Sequence, residues 1–272
     1  MRIFGIDFTS SPKPRKPITC LSCHLENGVL EASRGPERWG SFKEFEDRLK
    51  GDGPWIAGID FPFGQSRKFI ENIGWPQTWA DYVRYAHSLG RQNFHNKLTA
   101  YRCCRSYGDR EHRRATDVAA KSISPQKLHD VPVGLMFFEG APRLIQAQVT
   151  IPGLQVGDPE RVVVEAYPKM LVRKFGEGQS YKNDNKKKQT EDQLKVRCEM
   201  FSRIIGGACL DEYGFRVAAP ASLVDDPSGD EFDALLCAIQ AAWSWTERKN
   251  RFGAPTGFDS LEGWIADPSL RI

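Results

Sequence analysis

Ile3-Phe4-Gly5-Ile6-Asp7-Phe8 and Ile56-Ala57-Gly58-Ile59-Asp60-Phe61 repeat one pattern, I-x-G-I-D-F. Each is a short apolar run that reads as a β-strand closed by an acid. Two-residue alternation puts Ile3, Gly5 and Asp7 on one face of the first strand, and Ile56, Gly58 and Asp60 on the matching face of the second. Both aspartates stand where the chain leaves the sheet. In open α/β sheets the crevice beyond the carboxyl ends of the strands is where ligands sit. The glycine two residues before each acid removes a side chain and leaves room for a ligand or a close helix.

Reading outward, Ile18 to Leu25 is a second apolar run and Val29 begins a third, with the turn dipeptide Asn27-Gly28 between them. Ser41 to Lys50 reads as a helix, with Phe42, Phe45 and Leu49 along one stripe and Ser41 and Glu44 as a capping box. The order strand, hairpin, strand, helix, strand predicts that the Asp7 and Asp60 strands lie side by side and parallel, the helix supplying the crossover. Arg161 to Ala166, with three successive valines, is a further strand of the same sheet and ends in Glu165.

Residues 66–155 lack strand alternation and are rich in His and Arg. Trp79–Leu89 and Asp109–Lys121 read as helices there. Between Arg84 and Lys127 stand ten basic residues (84, 91, 97, 102, 105, 110, 113, 114, 121, 127) against three acids (109, 111, 117). This predicts a mainly helical, basic insertion within one domain spanning 1–272. Lys182 to Gln189 reads as a polar, lysine-rich loop. Ser228 to Glu247 is the clearest helix, with Ser228 and Glu231 as its capping box. Phe232, Leu235, Leu236, Ile239 and Trp243 form one stripe, and Ala234, Cys237, Ala238 and Ala241 a second, so the helix is buried on two sides.

Three apolar strands therefore each end in a carboxylate: Asp7, Asp60 and Glu165. The last helix adds Asp230 and Asp233, three residues apart on one face. Carboxylates brought together repel, and burial raises the cost. A hard divalent cation, Mg²⁺ or Mn²⁺, is the usual remedy.

Composition narrows the field. The 272 residues are 40% hydrophobic and 27% charged, as in an ordinary globular protein. No apolar run approaches the roughly 18 residues of a membrane span. Asp7 interrupts the apolar N-terminal run before a secretory core could form, so a cytoplasmic protein is expected. Seven cysteines, an odd number, are expected to be reduced. Cys20 and Cys23 would point to opposite faces of a strand, which argues against a zinc site. A net charge of +3 does not by itself point to nucleic acid. No phosphate-binding G-x-x-x-x-G-K-[ST] loop occurs.

Gly5-Ile6-Asp7, Gly58-Ile59-Asp60-Phe61-Pro62-Phe63-Gly64, Glu165-Ala166-Tyr167-Pro168 and Asp230-Glu231-Phe232-Asp233-Ala234-Leu235, in that order, resemble the ribonuclease-H-like fold. More closely, they resemble domain-of-unknown-function family 429, a family of predicted ribonuclease-H-like nucleases. His112-Arg113-Arg114-Ala115-Thr116-Asp117 and Gly140-Ala141-Pro142-Arg143-Leu144 also look typical of one branch of it. The resemblance runs over nearly the whole chain. It implies an α/β fold with a mixed sheet flanked by helices, and metal-dependent phosphodiester hydrolysis of nucleic acid. In that superfamily two metal ions activate water and stabilise the leaving oxygen. Carried over, Asp7 would bridge the metals, Asp60 and Asp233 would complete the coordination, Glu165 would ligate or orient water, and Asp230 would be outer-sphere. The insertion would contact the polyanion through His112, Arg113, Arg114 and Arg143. Two rival readings share the fold: a nucleic-acid-binding protein without catalysis, and actin-like phosphoryl transfer, which would need a nucleotide site.

Overall fold

The computed structural model describes residues 1–183 and 185–270. The strands are β1 (Arg2–Asp7), β2 (Ile18–Glu26), β3 (Val29–Glu31), β4 (Glu37–Trp39), β5 (Trp55–Ile59), β6 (Val149–Thr150), β7 (Asp158–Glu165) and β8 (Arg216–Ala218). They form one mixed sheet in the order β6-β7-β5-β1-β2-β3-β8, with β4 also paired to β2. β1 runs antiparallel to β2 and parallel to β5, and β5 runs parallel to β7. The two halves of the I-x-G-I-D-F repeat are in register, Gly5 opposite Gly58 and Ile6 opposite Ile59. This adjacency is the one the helical crossover requires.

Helix α1 (Phe42–Lys50) makes that crossover. Between β5 and β7 stand α2 (Arg67–Ile73), α3 (Trp79–Ser88), α4 (Gly90–Cys103), α5 (Ala115–Ala119) and α6 (Val133–Ala147). After β7 come α7 (Lys169–Phe175), α8 (Glu191–Arg203), α9 (Cys209–Tyr213) and the long α10 (Asp230–Thr246). The sheet separates two hydrophobic cores. Phe4, Ile6, Ala57, Ile59 and Val163 face α1, α2, α3, α4 and α6. Ile3, Ile56, Val162 and Val164 face α7, α8 and α10. Alternation along each strand thus feeds both layers. Cys20 and Cys23 fall in opposite cores, as strand alternation expects. Burial pushes the Cys23 thiol up to about 12.

Two local readings are corrected. The helix expected over Asp109–Lys121 shrinks to the five residues of α5. The His112 N–H donates to Gln126 Oε1 at 2.6 Å, and the His112 carbonyl accepts from Ser124 Oγ at 2.7 Å. Those groups are spent on the 122–126 segment and are unavailable to a helical ladder. At the start of α10, Ser228 does not cap. Asp226 accepts from the Asp230 and Glu231 N–H groups at 3.1 and 3.4 Å, while Glu231 pairs with Arg38 at 2.6 Å. Among the described residues no helix is long and apolar enough to cross a membrane.

Candidate functional site

The repeat glycines explain how strand acids and helix acids meet. A Cβ at Gly5 would stand 1.8 Å from the Ala234 carbonyl oxygen, and one at Gly58 would stand 2.4 Å from that of Cys237. Helix α10 therefore lies with its backbone directly on β1 and β5. The room left by the glycines is filled by a helix, and Asp230 and Asp233 are carried to the end of the sheet where Asp7 and Asp60 emerge.

Asp7 is the centre of this group. Burial holds its carboxyl well above the usual range; Asp230, Asp233 and Asp60 push it further, and Lys182 opposes them. Burial, then Asp233, pushes Asp60 up to about 7, again against Lys182. Asp230 is raised by burial and by Asp226 and Asp233. Asp233 is only 1% exposed and is held from both sides. Its Oδ1 accepts from the Tyr181 hydroxyl at 2.7 Å, and its Oδ2 from Lys182 Nζ at 2.5 Å. Burial disfavours the Lys182 ammonium, yet Asp233, Tyr181 and Asp7 hold its pKa well above the usual lysine range. Neither residue belonged to the expected site. Lys182 opens a lysine-rich stretch that sequence assigns to a solvated loop, and nothing local marks it as different.

Glu165 departs from expectation. The register pairs it with Ile59, one residue short of Asp60. By alternation it belongs to the opposite face, with Val163. There Arg114 grips it in two bonds, Nη1 to Oε2 at 2.7 Å and Nη2 to Oε1 at 2.6 Å, and the Phe63 N–H donates to Oε2 at 2.8 Å. Glu165 is thus paired with Arg114, and it lines one cavity with Asp60 and Asp233 and adds to the rise in the Asp60 pKa. Arg114, expected to meet phosphate, is 1% exposed and is also bound by Asp117.

The other expected contacts scatter. His112 is buried, with Nε2 2.6 Å from the Tyr101 hydroxyl, and burial lowers its pKa. Arg143 staples α6 to α1, bonding Glu46 and Glu139 at 2.9 Å each with its guanidinium over Phe42. Of the four, Arg113 alone is exposed. Much of the insertion's positive charge is answered locally, as in Arg84–Asp81, Arg91–Glu139 and Lys127–Asp130. Arg102 and Arg110 of the insertion line a cavity of about 440 Å³ with His95, His129 and Glu111, the last paired with Arg102.

A second cavity, of about 300 Å³, opens on the acids. Asp60, Asp233, Lys169 and Lys182 line it together with Arg114, Asp117 and Glu165, and Ile123, Val131, Val133, Met136 and Ile265 form an apolar wall. Burial lowers the Lys169 pKa.

Asp7 and Asp60 offer carboxylate oxygens, the donors that a hard divalent cation takes. Among the described residues no hydrogen bond to the Asp7 or Asp60 carboxylate is formed, so their lone pairs are open. Their raised proton affinity comes first from burial and then from the neighbouring acids. No three His, Cys, Asp or Glu side chains among the described residues form a ready-made metal cage. Mg²⁺ does not need one, since it keeps several waters and is commonly held by one or two carboxylates plus substrate phosphate. Asp7 and Asp60 fit that role. Asp233, with a donor on each oxygen, is committed elsewhere.

No protein-family model, no curated protein and no solved structure matches the chain.

Proposed function

We propose that the protein is a Mg²⁺- or Mn²⁺-dependent phosphodiesterase acting on nucleic acid, built on a ribonuclease-H-like fold. The observation that carries the reading is the pair Asp7 and Asp60. Two adjacent carboxylates stand at the carboxyl ends of parallel strands, with no hydrogen-bond donor among the described residues and with proton affinities raised by burial and by neighbouring acids. A binding module for a polyanion has no use for such a pair. The antiparallel β1-β2-β3 run beside parallel β1, β5 and β7, with α10 carrying acids onto it, supports the resemblance drawn from sequence.

Asp7 and Asp60 would hold the cation. A divalent ion there supplies Lewis acidity, acidifying water and offsetting charge on the phosphate. Lys182 and Lys169 bring positive charge to the same end of the cavity, where a phosphate can be drawn in. The apolar wall from Ile123 to Met136 gives a sugar or base a dry surface.

Thermal melts with and without Mn²⁺, paired with cleavage of labelled single- and double-stranded substrates, test this. Wild type should show a Mn²⁺-dependent rise in Tm and cleavage. Asp7→Asn should lose both, and without metal it should melt level with wild type or slightly higher, because one repelling charge is gone. Neither signal in wild type would favour binding without catalysis. Equal cleavage by Asp7→Asn would displace the site.

A further inference from the structure

We propose that the Lys182 ammonium occupies the place of one of the two metal ions expected at this centre, so that the protein binds a single divalent cation, on Asp7 and Asp60, beside a built-in organic cation. This rests on the metal reading above.

Four observations carry it. The ammonium is inside the cluster, 2.5 Å from Asp233 Oδ2 and close enough to influence Asp7, Asp60 and Asp230. Asp233, which a second metal would need, already accepts on both oxygens, from two consecutive residues of one segment. That segment is anchored. The Tyr181 carbonyl accepts from buried Arg197 at 2.6 Å, the Lys182 carbonyl from Gln193 at 3.1 Å, and the Tyr181 ring is buried against Phe232. Space is reserved for the lysine stem as well. A Cβ on Gly229 would stand 2.8 Å from Lys182 Cδ and 2.9 Å from its Cβ. Gly229 has φ +74°, a conformation that itself favours glycine, so no side chain intrudes on the lysine's path.

Charge points the same way. The four aspartates carry −4 when ionised, and Lys182 brings the cluster to −3. One divalent ion takes it to −1; a second would take it to +1 and press a dication against an ammonium. Lysine is a compact point charge on a flexible stem, suited to substituting for an ion rather than to gripping a carboxylate with a planar fork.

The experiment is Mn²⁺ titration of the full chain without substrate, reading free Mn²⁺ by electron paramagnetic resonance. Wild type should bind one ion. Lys182→Met should admit a second ion or bind the first about tenfold tighter or more, since a unit charge a few ångströms away is removed. Lys182→Arg should keep one ion. Should Lys182→Met fail to fold, Gly229→Ala displaces the stem without deleting the charge and should shift Mn²⁺ affinity in the same direction. Two ions in wild type overturn the lysine's role and leave the metal reading standing. A Lys182→Met titration superimposable on wild type also overturns it. No Mn²⁺ binding by wild type overturns both.

Discussion

Two cations sit among carboxylates at the same end of the sheet, and they do opposite things. Arg114 uses Nε, Nη1 and Nη2 in five contacts: two with Asp117 at 2.9 and 2.8 Å, two with Glu165 at 2.7 and 2.6 Å, and one with the Glu262 carbonyl at 3.3 Å. Lys182 satisfies one carboxylate, Asp233, and among the described residues Asp7 and Asp60 have no hydrogen-bond donor. The first cluster is closed, with a planar fork matched to two carboxylates. The second is open, with a point charge spread too thinly over four. A closed cluster fixes the β7 end to α5, and its charges are answered from within. An open one stores unmet demand for positive charge, which is what a cation or a phosphate-bearing substrate can use.

That contrast is broken most directly by Arg114→Met. It strips the guanidinium from two buried carboxylates and should destabilise the protein by about 3–5 kcal/mol in chemical denaturation. A loss below about 1 kcal/mol would mean that the closed cluster does not hold α5 to the sheet.

Asp60→Asn probes the open cluster and should act in the opposite direction. With Asp60 raised from 3.8 to about 7, the folded chain keeps a proton that the unfolded chain has released. Folded-state proton uptake exceeds that of the unfolded chain between those values, so metal-free stability falls as pH rises from about 4 to about 7. Removing the group removes its share of the fall. The metal-free variant should match wild type near pH 4 and exceed it by roughly 1–2 kcal/mol at pH 8. Denaturant titrations at both pH values read this, and an advantage that shrinks with rising pH would show that Asp60 is already compensated.

The smallest effect is expected at exposed Arg113. Arg113→Ala should change stability by less than about 0.5 kcal/mol and lower the salt slope of oligonucleotide binding by about one unit. A large stability loss would place Arg113 with the closed cluster; an unchanged slope would remove it from the nucleic-acid contact.

What sequence made legible was local. The paired I-x-G-I-D-F runs gave the strands, their parallel adjacency and the two acids, because period-two alternation and turn signals need only neighbouring residues. Asp233 was legible as a buried acid on a two-sided helix. The face that Glu165 takes was not legible, because a strand-end acid looks the same on either face and one residue of register separates it from Asp60. His112-Arg113-Arg114 reads as a single basic run, yet one arginine is exposed and the next is fully buried; only Asp117 and Glu165, the latter 51 residues on, distinguish them. Lys182 was invisible for the converse reason. It belongs to a stretch whose other lysines, Lys186, Lys187 and Lys188, are indeed exposed, and its partner Asp233 lies 51 residues away.

The absence of side chains at Gly5 and Gly58 also bears on tolerance. Peptide groups of α10 rest on peptide groups of β1 and β5, so no rotamer stands between the strand acids and the helix acids. The gauge of the centre is set by main-chain dimensions, which are nearly invariant. Residues of the two cores can exchange volume over time without stretching that gauge.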